Sequence, residues 1–138
     1  MKVVLDASLI IAASVAKERH HQAALTWLND SINEGNEHVL VSHTIAELYA
    51  GLTKHIAPRY ARPIIEDQIN LAAEIVELQT IDYTQAVQEV TASGLTSGII
   101  YDAVIAQAAR RIQADFIASL NRKHFERVWP PAQLIVPS

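Results

Sequence analysis

Cysteine is absent from the 138-residue sequence. This excludes disulfide bonds, thiol catalysis and cysteine-ligated zinc or iron–sulfur sites. Long hydrophobic runs are also lacking: no window of about 18 residues is both apolar and uncharged, which argues against a transmembrane helix. Asp6 interrupts the first apolar run, so we expect no secretory signal peptide at this end of the sequence.

Glycine and charged residues are scarce as well. Four glycines and 19% charged residues stand against 50% hydrophobic residues. There is neither a Gly-rich phosphate loop nor a G-x-S-x-G nucleophile motif. So large an apolar fraction excludes a disordered chain, and the length suits one domain better than two. We therefore expect a single compact domain over residues 1–138, located in the cytoplasm.

The basic residues are unevenly distributed. The net charge is −4, which alone argues against non-specific nucleic-acid binding. However, residues 63–109 contain seven acidic residues and no Lys or Arg, whereas residues 110–127 contain five Lys or Arg and two acidic residues. A second basic group lies within residues 54–62. Each group is consistent with a solvated helix end, and they favour an anionic partner only if they flank one cleft.

Apolar runs of strand length alternate with segments of helical periodicity. Strands are predicted at residues 2–5, 39–41, 75–78 and 115–119, with a possible fifth at 134–136. Helices are predicted at residues 7–17, 21–34, 42–52 with Ser42 as the cap, 64–73 after a break bracketed by Pro58 and Pro63, 83–92, and from Asp102 to about 112. This alternation predicts an α/β fold, a mostly parallel four- to five-stranded sheet with helices on both faces.

Ligands of such sheets bind outside the carboxyl ends of the strands, and four polar residues lie near those ends. Asp6 directly follows the first strand, and Glu47 lies one helical turn after the second. Asp102 follows an apolar segment and opens a helix, and Asn121 follows the fourth strand. Together they predict a carboxylate-rich site for Mg²⁺ or Mn²⁺, since a cation offsets the repulsion between adjacent carboxylates.

Each of these residues also has an ordinary structural interpretation. Asp6 could cap a helix, Glu47 could lie on the surface, Asp102 could interact with a helix dipole, and Asn121 could occupy a turn. The six histidines form no H-x-x-x-H pair, and most are expected in solvated or packing positions. A phosphatase with a D-x-D motif is disfavoured, because the segment that begins at Asp6 reads Asp-Ala-Ser.

Four segments, in order along nearly the whole chain, resemble the motifs of the PIN-domain family, and specifically of its VapC-type toxin ribonucleases. Val3–Ser8 resembles the opening strand with its D-x-S/T motif, and Ile45–Leu48 resembles the helix with the second acid. Tyr101–Ala106 resembles the third motif, and Ala114–Phe125 resembles the final strand and turn. The fourth site of the family, in that last segment, is often Asp and sometimes Asn.

The resemblance implies a PIN-like domain in which Asp6, Glu47 and Asp102 hold Mg²⁺ or Mn²⁺. It places Asn121 at the fourth position and Ser8 in a hydrogen bond within the cluster. Because an amide brings no charge, a second metal ion should bind more weakly here. Glu47 could ligate the metal or orient the attacking water.

The substrate implied by the resemblance is RNA. Arg122 and Lys123 are the expected contacts to its backbone, and Ser8 is expected to contact the substrate as well. Lys54, Arg59, Arg110 and Arg111 are outer candidates. Asp115, at the other end of its strand, is expected to have a structural role.

The implied activity is metal-dependent endonucleolytic hydrolysis of single-stranded RNA by a toxin. The resemblance further implies a homodimer and a cognate antitoxin that inserts a segment into the acidic site. Two related alternatives remain open. One is a PIN-like module that binds RNA or a partner with weak or no catalysis. The other is a PIN nuclease that acts on DNA or in RNA processing rather than as a toxin.

Overall fold

The computed structural model describes residues 1–138. Five strands and seven α-helices follow one another along the chain: β1 (Lys2–Leu5), α1 (Ala7–Ser14), α2 (His21–Asn33), β2 (Glu37–Val41), α3 (Ser42–Leu52), α4 (Pro58–Leu71), β3 (Glu74–Val76), α5 (Thr80–Ala92), α6 (Ile99–Arg111), β4 (Phe116–Ala118), α7 (Arg122–Phe125) and β5 (Leu134–Ile135). None of these helices is long and apolar enough to cross a membrane.

The strands form one sheet in the order β3-β2-β1-β4-β5, and all four strand pairs are parallel. The predicted α/β fold with a five-stranded parallel sheet is therefore confirmed. From β1 the sheet extends to β2 and β3 on one side and to β4 and β5 on the other. The strand order thus reverses between β1 and β4, where Leu5 pairs with Ala118. The carboxyl ends of these two strands are the place where a parallel α/β sheet binds its ligand.

Alternate strand residues enter two separate cores, as expected for a sheet buried on both faces. Val4 and Ile117 pack with residues of α5, α6 and α7, including Phe125. Val3 and Leu5 pack on the opposite face with residues of α1, α2, α3 and α4. Helices therefore cover both faces, as predicted, and the sheet holds the strand ends at fixed positions.

The predicted break between Pro58 and Pro63 is wrong, because α4 runs continuously through both prolines. Pro58 occupies the first turn, where its missing N–H costs no hydrogen bond. Pro63 has no N–H, so the helix loses one backbone hydrogen bond at this position. Burial of the neighbouring Ala61 and Ile65 in the core offsets that loss.

Several other predicted boundaries also differ from the structure. Ser42 is the first residue of α3 and makes no capping bond; its hydroxyl instead accepts a hydrogen bond from the Leu78 N–H at 3.2 Å. Strand β3 ends at Val76 rather than at residue 78, so Leu78 donates this hydrogen bond from outside the strand. Helix α5 begins at Thr80 rather than at residue 83, because the Asp82 carboxylate accepts a hydrogen bond from the N–H before the helix.

Helices α1, α3 and α6 carry Ser8, Glu47 and Asp102, in that order. Helix α1 ends at Ser14 instead of near residue 17. Helix α3 packs directly on α1, since a side chain at Gly51 would collide with Ile11. Helix α6 begins at Ile99, three residues before Asp102, so this acid lies in the first turn.

Candidate active site

Asp6 lies at the junction between β1 and α1, where its backbone N–H donates to the Ala118 carbonyl at 2.9 Å. The residue is only 6% exposed. Its Oδ2 atom accepts hydrogen bonds from the Ser8 hydroxyl at 2.6 Å and from the Ser119 hydroxyl at 2.7 Å. These two bonds fix the orientation of the carboxylate and leave Oδ1 without a protein donor.

The same two hydroxyls connect Asp6 to the turn that follows β4. The backbone N–H of Leu120 donates to the Ser8 hydroxyl at 3.1 Å, and the N–H of Asn121 donates to the Ser119 hydroxyl at 2.9 Å. Each hydroxyl therefore accepts from the backbone and donates to the carboxylate. The β4–α7 turn and Asp6 are consequently held as one unit.

Glu47 lies in the second turn of α3 and is half-buried. Its Oε1 atom is buried and has no hydrogen-bond partner. Burial, together with the smaller effects of the Asp6 and Asp102 charges, raises the pKa of Glu47 to about 7. A buried oxygen without a donor is costly when the carboxylate is ionised, so this position calls for a proton or a cation.

Asp102 lies in the first turn of α6, and its side chain is 14% exposed. The pKa of Asp102 is raised to about 6, mainly by burial and also by the charge of Asp6, while His124 acts in the opposite direction. The His124 Nδ1 atom lies 3.0 Å from Asp102 Oδ2 and 2.9 Å from the amide nitrogen of Asn121. Since one ring nitrogen cannot donate and accept at once, only one of these contacts is a hydrogen bond in a given tautomer.

Asp6, Glu47 and Asp102 are called the acidic group below. No three His, Asp or Glu side chains converge closely enough to hold a metal ion in their present orientations. The electrostatics nevertheless fit a cation, because Asp6 raises the pKa of both other acids and Glu47 Oε1 lacks a partner. A hard divalent cation such as Mg²⁺ or Mn²⁺ prefers carboxylate oxygens and would satisfy both features. Its binding requires side-chain rotation toward a common point.

Exposed cations lie next to the acidic group. Arg122 and Lys123 are the first two residues of α7, between Asn121 and His124, and neither forms an ion pair. Arg110 and Arg111 lie instead at the far end of α6. They are bound to Glu89 and Asp82, which gives them structural roles. Lys54 and Arg59 follow α3 and begin α4 without forming an ion pair, although Arg59 lies over the ring of Tyr60.

The structure therefore brings Asp6, Glu47, Asp102 and Asn121 to one edge of the sheet. Ser8 contacts Asp6, so its hydroxyl holds the carboxylate; a contact to substrate stays a prediction. Asp115 lies away from this edge and accepts a hydrogen bond from the Lys2 N–H at 2.8 Å, in agreement with the structural role expected for it.

Sequence reasoning missed two residues of the site, Ser119 and His124. Ser119 directly follows the apolar strand β4 and is fully buried. Its neighbours in the sequence give no sign that it has a polar functional role. His124 follows Asn121 by three residues, a spacing that places both on one side of a helical turn. Testing the histidines for asparagine and aspartate neighbours, and not only for paired histidines, would have identified it.

The fold matches solved structures at low sequence identity. VapC20 of Mycobacterium tuberculosis, a toxin that cleaves the sarcin–ricin loop, superposes with a TM-score of 0.75 at 12% identity, covering 88% of this chain and 92% of that one. A chain of the promoter-DNA-bound VapBC2 complex of Rickettsia felis gives 0.70 at 22% identity, with 99% and 97% covered. A chain of DNA-bound VapBC from Salmonella typhimurium gives 0.70 at 23%, with 99% and 96% covered.

None of the curated proteins matches this sequence significantly. The family model of the PIN domain does match, over residues 3–129. This span includes the whole acidic group, both serines that hold Asp6, and the turn that carries Asn121 and His124. The chain belongs to the PIN-domain family.

Proposed function

We propose that the chain is a Mg²⁺- or Mn²⁺-dependent endoribonuclease that hydrolyses phosphodiester bonds in single-stranded RNA, as the cytoplasmic toxin of a toxin–antitoxin pair. One observation carries the proposal. Asp6 raises the pKa of both Glu47 and Asp102 at the carboxyl edge of the sheet, Glu47 Oε1 is buried without a partner, and none of the three acids is paired with a Lys or Arg. Exposed Arg122 and Lys123 lie beside them, where a phosphate backbone would pass.

Asp6, Glu47 and Asp102 are the residues that would hold the cation, with Asn121 at the edge of the site. When bound, the cation would supply charge neutralisation at the phosphate and activation of water. Binding of the cation would favour the ionised form of Glu47, whose pKa is raised to about 7 without it. Ser8 and Ser119 keep the Asp6 carboxylate oriented throughout.

The proposal includes a cognate antitoxin and a homodimer. Two of the structural neighbours are VapBC assemblies bound to DNA, one of them to promoter DNA. A partner that places an arginine against the acidic group would compete with the cation by forming charge-assisted hydrogen bonds. A homodimer would have twice the 15.2 kDa mass of the chain, which light scattering measures directly.

The catalytic assignment is tested by removing one carboxylate charge at a time. Asp102→Asn and Asp6→Asn should each lower Mg²⁺-dependent cleavage of an end-labelled single-stranded RNA by at least about 100-fold, because each removes charge from the proposed metal site. The matched control is Asp67→Asn on α4, an exposed aspartate without an ion pair, which should cleave like the wild type. Circular dichroism checks that each variant is folded. Undiminished cleavage by folded Asp102→Asn would refute the assignment.

The biological target requires a cellular experiment. Sequencing of RNA ends after induction of the wild type, with Asp6→Asn as the inactive reference, should show new ends at a restricted set of sites. New ends in both samples would mean that the cleavage is not due to this chain.

The alternative of a binding module with weak catalysis rests on one feature. The turn after β4 offers Asn121 and His124, and neither supplies a fixed negative charge to a cation. A protein that binds single-stranded RNA tightly, yet releases no fragments with Mg²⁺ or Mn²⁺, would support this alternative.

A further inference from the structure

Two exposed rings are stacked on one another beside the acidic group. The rings of His43 and Tyr101 have centroids 6.2 Å apart and planes inclined by 12°. Tyr101 is 61% exposed, and His43 is also exposed. The planes are nearly parallel and the rings are offset, and because both side chains are exposed, ring surface stays open to solvent. We name this pair the aromatic platform.

The platform belongs to the same two helices that carry the acids. His43 lies one turn before Glu47 on α3, and Tyr101 directly precedes Asp102 on α6. The stack therefore connects α3 and α6 at the edge where the carboxylates meet. The rings are therefore placed to contact a molecule that extends from the acidic group along these two helices.

The charges around the aromatic platform determine which part of a nucleic acid the two rings can bind. Without a cation, the acidic group repels phosphates at close range, so stacking of a base does not compete there with attraction of the nucleic-acid backbone. A nucleobase is neutral and has a large flat surface, and its stacking on an aromatic ring does not depend on charge. Bases in a duplex are already stacked on both sides, whereas unpaired bases leave a face free for the protein.

We propose that the aromatic platform binds an unpaired nucleobase of the RNA next to the bond that is cleaved. This inference rests on the proposed ribonuclease function and adds a substrate-binding site to it. Arg122 and Lys123 would contact the phosphates, while the platform contacts a base. The platform would also favour single-stranded over double-stranded RNA.

The test measures binding separately from cleavage. A short single-stranded RNA that contains one 2-aminopurine is titrated with protein in the presence of a chelator and at low salt, and the dissociation constant is taken from the fluorescence. Tyr101→Leu should weaken binding by about tenfold, within the range for loss of one base–aromatic stack. Tyr101→Trp keeps a flat ring and should bind within about twofold of the wild type.

The matched control is Tyr83→Leu, which removes another exposed tyrosine, 48% exposed, from α5. Tyr83 makes no hydrogen bond or ring stack with the acidic group, so its loss should leave the dissociation constant unchanged. With Mg²⁺ present, Tyr101→Leu should raise KM more than it lowers kcat, because the lost contact is made to bound RNA before and during the reaction.

The results separate this inference from the proposed function. If Tyr101→Leu melts at a lower temperature but binds RNA like the wild type, the stack is only a structural link between α3 and α6, and the platform is overturned. If Tyr101→Leu instead changes the mass of a dimer without changing RNA binding, the rings belong to a subunit interface. A wild type that neither binds nor cleaves single-stranded RNA overturns the proposed function together with the platform.

Discussion

Replacing Glu47 by glutamine should stabilise the protein at alkaline pH. Glu47 is partly buried, its Oε1 has no hydrogen-bond partner, and its pKa rises from an ordinary value near 4.5 to about 7. A raised pKa means that the folded state disfavours the ionised form. The stability that the neutral carboxyl gives is complete below about pH 4.5 and is lost as the pH rises through about 7. Glutamine stays neutral and avoids that loss.

The size of the effect follows from the pKa shift. Each pKa unit corresponds to about 1.4 kcal/mol, so a full shift would cost the wild type about 3 kcal/mol at pH 8. Solvent screening of a partly exposed group reduces this cost, and we expect about 1 to 2 kcal/mol. For a chain of this length that difference raises the melting temperature of Glu47→Gln by about 5 °C over the wild type.

The assay is thermal unfolding at pH 5 and pH 8 in the presence of a chelator. At pH 5 the two proteins should melt together, and at pH 8 the variant should melt higher. Glu126→Gln, at an exposed position without an ion pair, provides the control and should follow the wild type at both pH values. A Glu47→Gln protein that melts at or below the wild type at pH 8 would refute the argument that ionised Glu47 is a source of instability.

Three further predictions concern the metal and the contacts around the site. Mg²⁺ at about ten times its dissociation constant should stabilise the wild type by about 1.4 kcal/mol at pH 8, measured by thermal unfolding, but should not stabilise Asp6→Asn. Ser119→Ala removes a hydroxyl that donates to buried Asp6 Oδ2, and urea unfolding should show a loss of about 1–3 kcal/mol. Burial raises the pKa of Asp82, but the Arg111 guanidinium outweighs this and holds that pKa below its usual value. The ion pair therefore stabilises the fold above about pH 4. Asp82→Asn should lower the urea midpoint strongly at pH 7 and less at pH 3.

The sheet and the strand ends were predictable because their signals are local. The apolar run Val3–Leu5 ends abruptly at Asp6, and this change from apolar to acidic within one residue marks both the strand and its edge. Parallel pairing then brings the edge residues together without any further sequence information. Glu47 follows β2 as the strand-end argument requires, whereas the apolar residues before Asp102 belong to α6 and not to a strand, so helix packing brings this acid to the edge.

The contacts that complete the site were not predictable in this way. Ser119 reaches Asp6 across 113 positions, and His124 reaches Asp102 across 22. Neither residue is unusual among its neighbours, so only the folded chain reveals the partner. The same holds for Arg111, an outer candidate for RNA contact, because its guanidinium is paired with Asp82, 29 positions away.

The hydrogen bond from Ser119 to Asp6 also sets the order in which the site can appear during synthesis. The acid lies near the start of the chain, and its fixed orientation depends on a hydroxyl made 113 residues later. At about 5–20 residues per second, the ribosome needs several seconds to more than twenty to cover that distance. Throughout that interval β1 lacks its β4 neighbour, and the Asp6 carboxylate has only the nearby Ser8 hydroxyl as a donor. The proposed ribonuclease would thus stay inactive beside the RNA of its own ribosome until β4 and the turn after it have been made.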